Sequence, residues 1–276
     1  ASREGLLLPL FSIDGEPLLF HERIVDRDPI PGADHVTSAE QAEEIALYIT
    51  LVLRQLGIHV NYAPVVDLAF NRSVIGRRSF GTERDVVSEL SEIFIGTMQK
   101  NGIVATAKHF PGHGSVEGDS HTKLLFVQGA PPELQVFYNV IRGGVISVMA
   151  GHIGVQSSDG YDTNGYPASL SRSMITGLLK GGLAFRGIVV SDALNMGALA
   201  GYDIPGVHAL RAGCDMVLMP EDVDAVIDRV RHEIGQDESF RKQILDSVRK
   251  VIRLKLTLGL YDEKKLENFV RLDDIY

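Results

Sequence analysis

Two short stretches of the chain concentrate side chains that could do chemistry. The first is KHFPGHGSVEGDSH, Lys108 to His121, with three histidines, a lysine, a glutamate and an aspartate. The second is SDALNM, Ser191 to Met196, where the apolar run GIVV delivers Asp192. A carboxylate at a strand end can attack an anomeric carbon and form a covalent glycosyl intermediate. It can equally cap a helix or hold a loop. Three readings fit the first stretch. His109, His113, Asp119 and His121 are metal-ligand types, although Pro111 and Gly112 prevent a helix from aligning the first two. The stretch could also be a polar loop without chemistry. In the third reading Asp119 orients His121: a carboxylate bonded to one imidazole nitrogen fixes the tautomer and steadies the imidazolium, leaving the other nitrogen to trade protons. Gly112, Gly114 and Gly118 would act as hinges that let such a loop close over a substrate. A further stretch, NRSVIGRRSFG, sets Arg77 and Arg78 beside Gly76. Guanidinium groups there are either ordinary surface charge or grips for sugar hydroxyls or an anion.

These residues need elements to position them. Short β-rich apolar runs predict strands over 6–14, 59–67, 103–110, 145–153, 187–193 and 215–220. The runs are nearly continuous, as in parallel strands covered on both faces. Helical patterns lie between them, over 38–56, 86–100, 131–142, 171–180, 205–212, 221–234 and 238–258. Thr37 and Glu40 have the spacing of a capping box for the first of these. Polar groups gather at nearly every strand's carboxyl end: Asp14, Asp67, Lys108, His109, His152, Ser191, Asp192 and Glu221. A (β/α)8 barrel builds its site from that rim, whereas an open doubly wound sheet uses one switch point, usually with a Gly-rich phosphate turn. Neither GxGxxG nor GxxxxGK[ST] follows a strand here. The expectation is an α/β fold, a TIM-type (β/α)8 barrel, with one or two strand-helix units unaccounted for in this chain.

Composition narrows the function classes. The 27 basic and 36 acidic residues leave a formal net charge of −9, and with no basic cluster this argues against a nucleic-acid partner. Cys214 is the sole cysteine, so no internal disulfide forms. No apolar run reaches about 18 residues, so no membrane span is expected. ASREGLLLPLF is too short for a signal peptide and does not begin with Met, which suggests a processed or excerpted start. Without a Pro/Gly/Ser linker, residues 1–276 read as one domain with a C-terminal helix and tail from about 238 to 276.

KHFPGHGSVEGDSH and VVSDALNM, together with NYAPVVDLAFN, IGRRSFG and AGCDMVLMP, closely resemble family 3 of the glycoside hydrolases, and its β-N-acetylglucosaminidase branch above all. The similarity runs from about Asp14 to about Leu260. The resemblance implies a barrel that normally begins about two strand-helix units earlier. It implies that Asp192 is the nucleophile and that His121, partnered by Asp119, is the acid/base. Lys108 and His109 then match a pair that binds sugar hydroxyls, Arg78 an arginine that binds the sugar, and Asp14 an aspartate that holds its ring hydroxyls. Members of the branch remove terminal N-acetylglucosamine from peptidoglycan fragments during cell-wall recycling. The expected substrate is therefore a small carbohydrate or muropeptide, with no metal or cofactor, in the cytoplasm. One departure stands out: where the family reads VDxEGGxVxR, this chain has SIDGEPLLFHERI, without the paired glycines and with Arg23 one residue out of register. A phosphorylase using the same site, a non-catalytic sugar- or partner-binding barrel and a metal-dependent hydrolase are the alternatives.

Overall fold

The computed structural model of the protein describes residues 7–24, 29–116, 123–157 and 160–262. The six expected strands all form: β1 (Ser12–Ile13), β2 (Val60–Asn61), β3 (Val104–Phe110), and then three more further along the chain. Between and after these come α1 (Phe20–Arg23), α2 (Ala39–Gln55) and α3 (Arg84–Lys100). The second half holds β4 (Leu125–Gln128), α4 (Leu134–Arg142), β5 (Ser147–Ala150), β6 (Ile153–Gln156) and β7 (Ile188–Ala193). It closes with α5 (Pro205–Ala212), β8 (Met216–Leu218), α6 (Val223–Ile234) and α7 (Glu238–Thr257).

One parallel sheet runs in the order β1-β2-β3-β5-β7-β8. Its sequence neighbours are also its spatial neighbours, apart from β4 and β6, as strand-helix crossovers require. All seven residues of β3 are buried, which explains its unbroken small and apolar character up to Lys108. Because every strand points the same way, the carboxyl ends of β1, β3 and β7 share one rim. Among the described residues the sheet stays open between β8 and β1, so six parallel strands of the expected eight are present. Leu7 instead bridges antiparallel to Tyr261, and Leu8 N–H donates to Leu260 O at 3.0 Å.

The helices wrap the sheet through apolar faces. Ile49 and Leu53 of α2 and Phe94 and Met98 of α3 are fully or nearly fully buried in one core with the strands. Ser38, rather than the expected Thr37, caps α2: its Oγ accepts from Gln41 N–H at 3.3 Å, while Gln41 Oε1 reaches back to Thr37 N–H at 2.8 Å. The box is thus shifted by one residue, because glutamine as well as glutamate can close it. Asp222 and Asp237 cap α6 and α7 in the same manner. The segment expected as a helix over 171–180 is π-helical over Ser173–Gly182, with Met174, Ile175 and Leu179 still buried. Sequence reading missed β4 and β6, a separate parallel pair. Each is only four residues long, and Leu125, Val127 and Val155 become a buried face only once the two pair. No helix among the described residues is long and apolar enough to cross a membrane.

Candidate active site

The rim opens into a cavity of about 560 Å³ whose lining includes Asp14, Arg78, Lys108, His109 and Asp192. Five of the seven residues to which the family resemblance gives a role therefore meet in one place, and His113 joins them in the lining. The other two, Asp119 and His121, lie outside the described residues. Glu221, another rim candidate, is exposed and does not line the cavity; Leu218 and Met219 take that side of the wall.

Lys108, in the buried β3, reaches the two carboxylates of the segment that follows β1. Its side chain is only 2% exposed, and its ammonium sits 2.5 Å from Asp14 Oδ1 and 2.5 Å from Glu16 Oε1. Arg78 grips the same Glu16 with two nitrogens, Nε to Oε2 at 2.8 Å and an Nη to Oε1 at 2.6 Å. Glu16 is fully buried. Burial alone would push its carboxyl up, but Lys108 and then Arg78 hold it far below the usual carboxylate range. Burial likewise works against the Lys108 charge, and Glu16 and Asp14 more than restore it. Glu16 thus pairs with two cations, yet in SIDGEP it reads as a turn residue, because its partners are 62 and 92 positions away. The Asp14 side chain remains 37% exposed and faces the cavity. Arg78 lines the cavity too, but most of its fork is committed to Glu16.

His109 is held by a second buried carboxylate. Asp67 Oδ2 accepts from the His109 ring nitrogen Nδ1 at 2.7 Å and from its backbone N–H at 3.1 Å. Its Oδ1 accepts from His113 N–H at 2.7 Å. Burial raises the Asp67 carboxyl, and His109 foremost among its neighbours brings it below the ordinary value. With Nδ1–H donating to Asp67, Nε2 is the His109 nitrogen left to act as an acceptor. A carboxylate–imidazole pairing of the kind expected of Asp119 and His121 is thus built from Asp67 and His109, with His109 lining the cavity. Asp67→Asn is expected to destabilise the fold by about 2–4 kcal/mol, because an amide N–H2 replaces an acceptor that faces N–H donors. Urea unfolding at pH 7 measures this; a midpoint equal to wild type would show that the three bonds contribute little.

Asp192 stands at the end of β7, half-buried, with Oδ1 accepting from Ala193 N–H at 2.8 Å. Burial would raise its carboxyl. His109, then His152, the Ala193 amide and Lys108 outweigh it and hold the group below the ordinary aspartate value. The carboxylate is therefore ionised at neutral pH and open to the cavity. Behind it, His152 fixes the strand end, with Nε2 to Ala193 O at 3.0 Å and Nδ1 to Ser169 Oγ at 2.7 Å. Among the described residues no cluster of three or more His, Cys, Asp or Glu side chains is placed to hold a metal ion.

Six parallel strands with an ionised carboxylate, a carboxylate-bound imidazole and a buried lysine on one rim define a barrel-like α/β protein with a polar pocket at the strand ends. The chain belongs to glycosyl hydrolase family 3, whose N-terminal domain pattern matches residues 31–254. It is 34% identical over 207 residues to a protein of Chromobacterium violaceum named beta-hexosaminidase, covering 71% of this chain and 57% of that one. A beta-hexosaminidase of Thioalkalivibrio sulfidiphilus is 36% identical over 211 residues, covering 72% and 59%. The fold superposes with a TM-score of 0.81 on a family 3 beta-N-acetylglucosaminidase from Paenibacillus sp. str. FPU-7, 33% identical, covering 92% of this chain and 51% of that chain. The chain spans less than two thirds of the length of each of these relatives.

Proposed function

We propose that the chain carries the site of a retaining exo-β-N-acetylglucosaminidase that releases terminal N-acetylglucosamine from peptidoglycan fragments. The observation that carries this reading is Asp192: a half-buried, ionised carboxylate that opens into the same cavity as Asp14, Lys108 and His109. The names of the relatives support the same chemistry. Asp14 accepts hydrogen bonds from the hydroxyls of the nonreducing sugar, braced from behind by Lys108. His109, its ring fixed by Asp67, offers Nε2 to a further hydroxyl. Asp192 attacks the anomeric carbon as His121 protonates the departing oxygen, which breaks the glycosidic bond and forms a glycosyl ester on Asp192. The now neutral His121, oriented by Asp119, takes a proton from water, and that water cleaves the ester with retention.

The SIDGEP departure fits this reading. Although the paired glycines are gone, Gly15 N–H donates to Asn61 Oδ1 at 2.8 Å and Glu16 is locked by Lys108 and Arg78, so Asp14 still faces the cavity.

Product analysis with and without inorganic phosphate tests the reaction class. Free N-acetylglucosamine unchanged by phosphate is expected; the sugar 1-phosphate would make the protein a phosphorylase, and no turnover of any N-acetylglucosaminide would leave a binding protein. His121→Ala is expected to slow substrates with poor leaving groups by about 100-fold or more, and activated aryl glycosides far less, because good leaving groups need little protonation. Equal losses for both would remove His121 as the acid.

A further inference from the structure

Beneath the turn that follows β3 lies a carboxyl that the proposed reaction does not use. Glu133 stands just ahead of α4, fully buried, and does not line the cavity. Its Oε1 accepts from Gly114 N–H at 3.0 Å and from Leu68 N–H at 3.4 Å. Its Oε2 is buried with no hydrogen-bond partner among the described residues. The turn is moulded on this group: a Cβ at Gly112 or Gly114 would run into the Glu133 carboxyl, and one at Gly114 would also strike the Leu68 carbonyl. These two glycines, expected as hinges, let the backbone approach a buried side chain. From the other side Asp67 takes the His113 N–H and the His109 ring and amide. Two buried carboxyls, Asp67 and a Glu133 that also accepts from the amide of the adjoining Leu68, therefore clasp the same His113–Gly114 turn.

We propose that Glu133 is a positioning residue whose proton sets how firmly the His113–Gly114 turn, and with it the Asp67–His109 pair in the cavity, is held. With a proton on Oε2, Oε1 keeps both amides and Asp67 is the only charge at the clasp. Without it, a second buried negative charge joins Asp67 at the clasp. The charged group that bears on Glu133 is Asp67, from the segment after β2, and His113 stands in the turn that the two carboxyls hold. α3, which packs on α4, turns Asp85, Glu89 and Glu92 toward a groove shared with Asn139 and Gly143 of the far end. Burial first, and Asp67 second, push the Glu133 carboxyl up to about 7. A carboxyl raised in the fold stabilises it fully below the unfolded value, and that stabilisation is lost as pH rises toward the folded value. The window thus runs from the ordinary glutamate range up to about 7, and the loss across it is on the order of 100-fold in the folding equilibrium.

Glu133→Gln keeps an oxygen for the two amides and removes the charge. Urea unfolding of both proteins between about pH 5 and pH 8 should show wild type losing on the order of 100-fold in this equilibrium relative to the variant. Parallel pH dependences would overturn the proposal. If the variant does not fold, the Gly114 amide of the wild-type protein decides: its proton and nitrogen shifts should titrate with a midpoint near 7, and an amide unmoved across that range would overturn it equally. The activity readout rests on the function proposed above: wild-type kcat/KM is expected to fall on the alkaline side near pH 7, and that fall should move upward in Glu133→Gln. If neither protein turns over substrate, the reaction fails while unfolding and the Gly114 amide still decide the role of Glu133.

Discussion

Asp192→Asn lowers kcat/KM for an activated N-acetylglucosaminide by on the order of 10⁴-fold while the protein stays folded: this is the expected result if the carboxylate forms the glycosyl ester. The amide is nearly the same size and still accepts from Ala193 N–H through its oxygen, so β7 and the His152 bonds to Ala193 and Ser169 are untouched. What it lacks is the negative charge and the nucleophilic lone pair. The surroundings were built for that charge, since His109, His152 and Lys108 each favour the ionised form. Asp14→Asn provides the contrast. In the proposed reaction that side chain, 37% exposed, holds ground-state hydroxyls, so its loss should fall more on KM. A rate for Asp192→Asn within about tenfold of wild type would remove it as the nucleophile, because the active carboxylate of a retaining enzyme has no substitute.

Asp192 could be found in the sequence because its evidence is local. GIVV is a buried strand, SDALNM follows at its end, and parallel geometry sends that end to the rim. The same logic found Lys108 and His109 at the end of β3 and Asp14 after β1. It failed where function depends on pairing across the chain. Glu16 lies two residues past Asp14 in a turn-like DGEP, and nothing nearby says that Arg78 and Lys108 will converge on it. Glu133 follows Pro131 and Pro132 ahead of a helix, where a carboxylate reads as an ordinary cap; only the folded Gly112 and Gly114 backbone shows it facing inward. For Arg78 the resemblance implies a sugar grip, and nothing in NRSVIGRRSFG shows that Glu16, in the segment after β1, will pair with its guanidinium. β4 and β6 failed for a related reason: four-residue strands acquire their buried face from each other.

Those cross-chain pairings make Lys108 the residue whose loss should cost the fold most. Lys108→Met keeps the length and apolar stem of the side chain but strands Glu16, which is completely buried, with Arg78 as its remaining cation. Removing one partner of a buried ion pair costs about 3–5 kcal/mol, because the uncompensated charge cannot return to water. Asp14 adds little to that loss, since its exposure lets water replace the ammonium. Two further measurements separate this cause from simple packing. Adding Glu16→Gln to Lys108→Met should recover more than half of the loss, because the stranded charge disappears. Acidification should also narrow the gap between Lys108→Met and wild type. In wild type the Glu16 carboxyl is depressed, so its contribution is present above the ordinary glutamate value and persists as pH falls until strongly acid conditions. Without Lys108 the Glu16 carboxyl moves up, and protonation relieves the penalty at milder pH. A loss below about 1 kcal/mol, unaffected by Glu16→Gln or by pH, would mean that Arg78 alone balances Glu16. Lys108 would then serve the cavity, bracing Asp14 toward the sugar, rather than the fold.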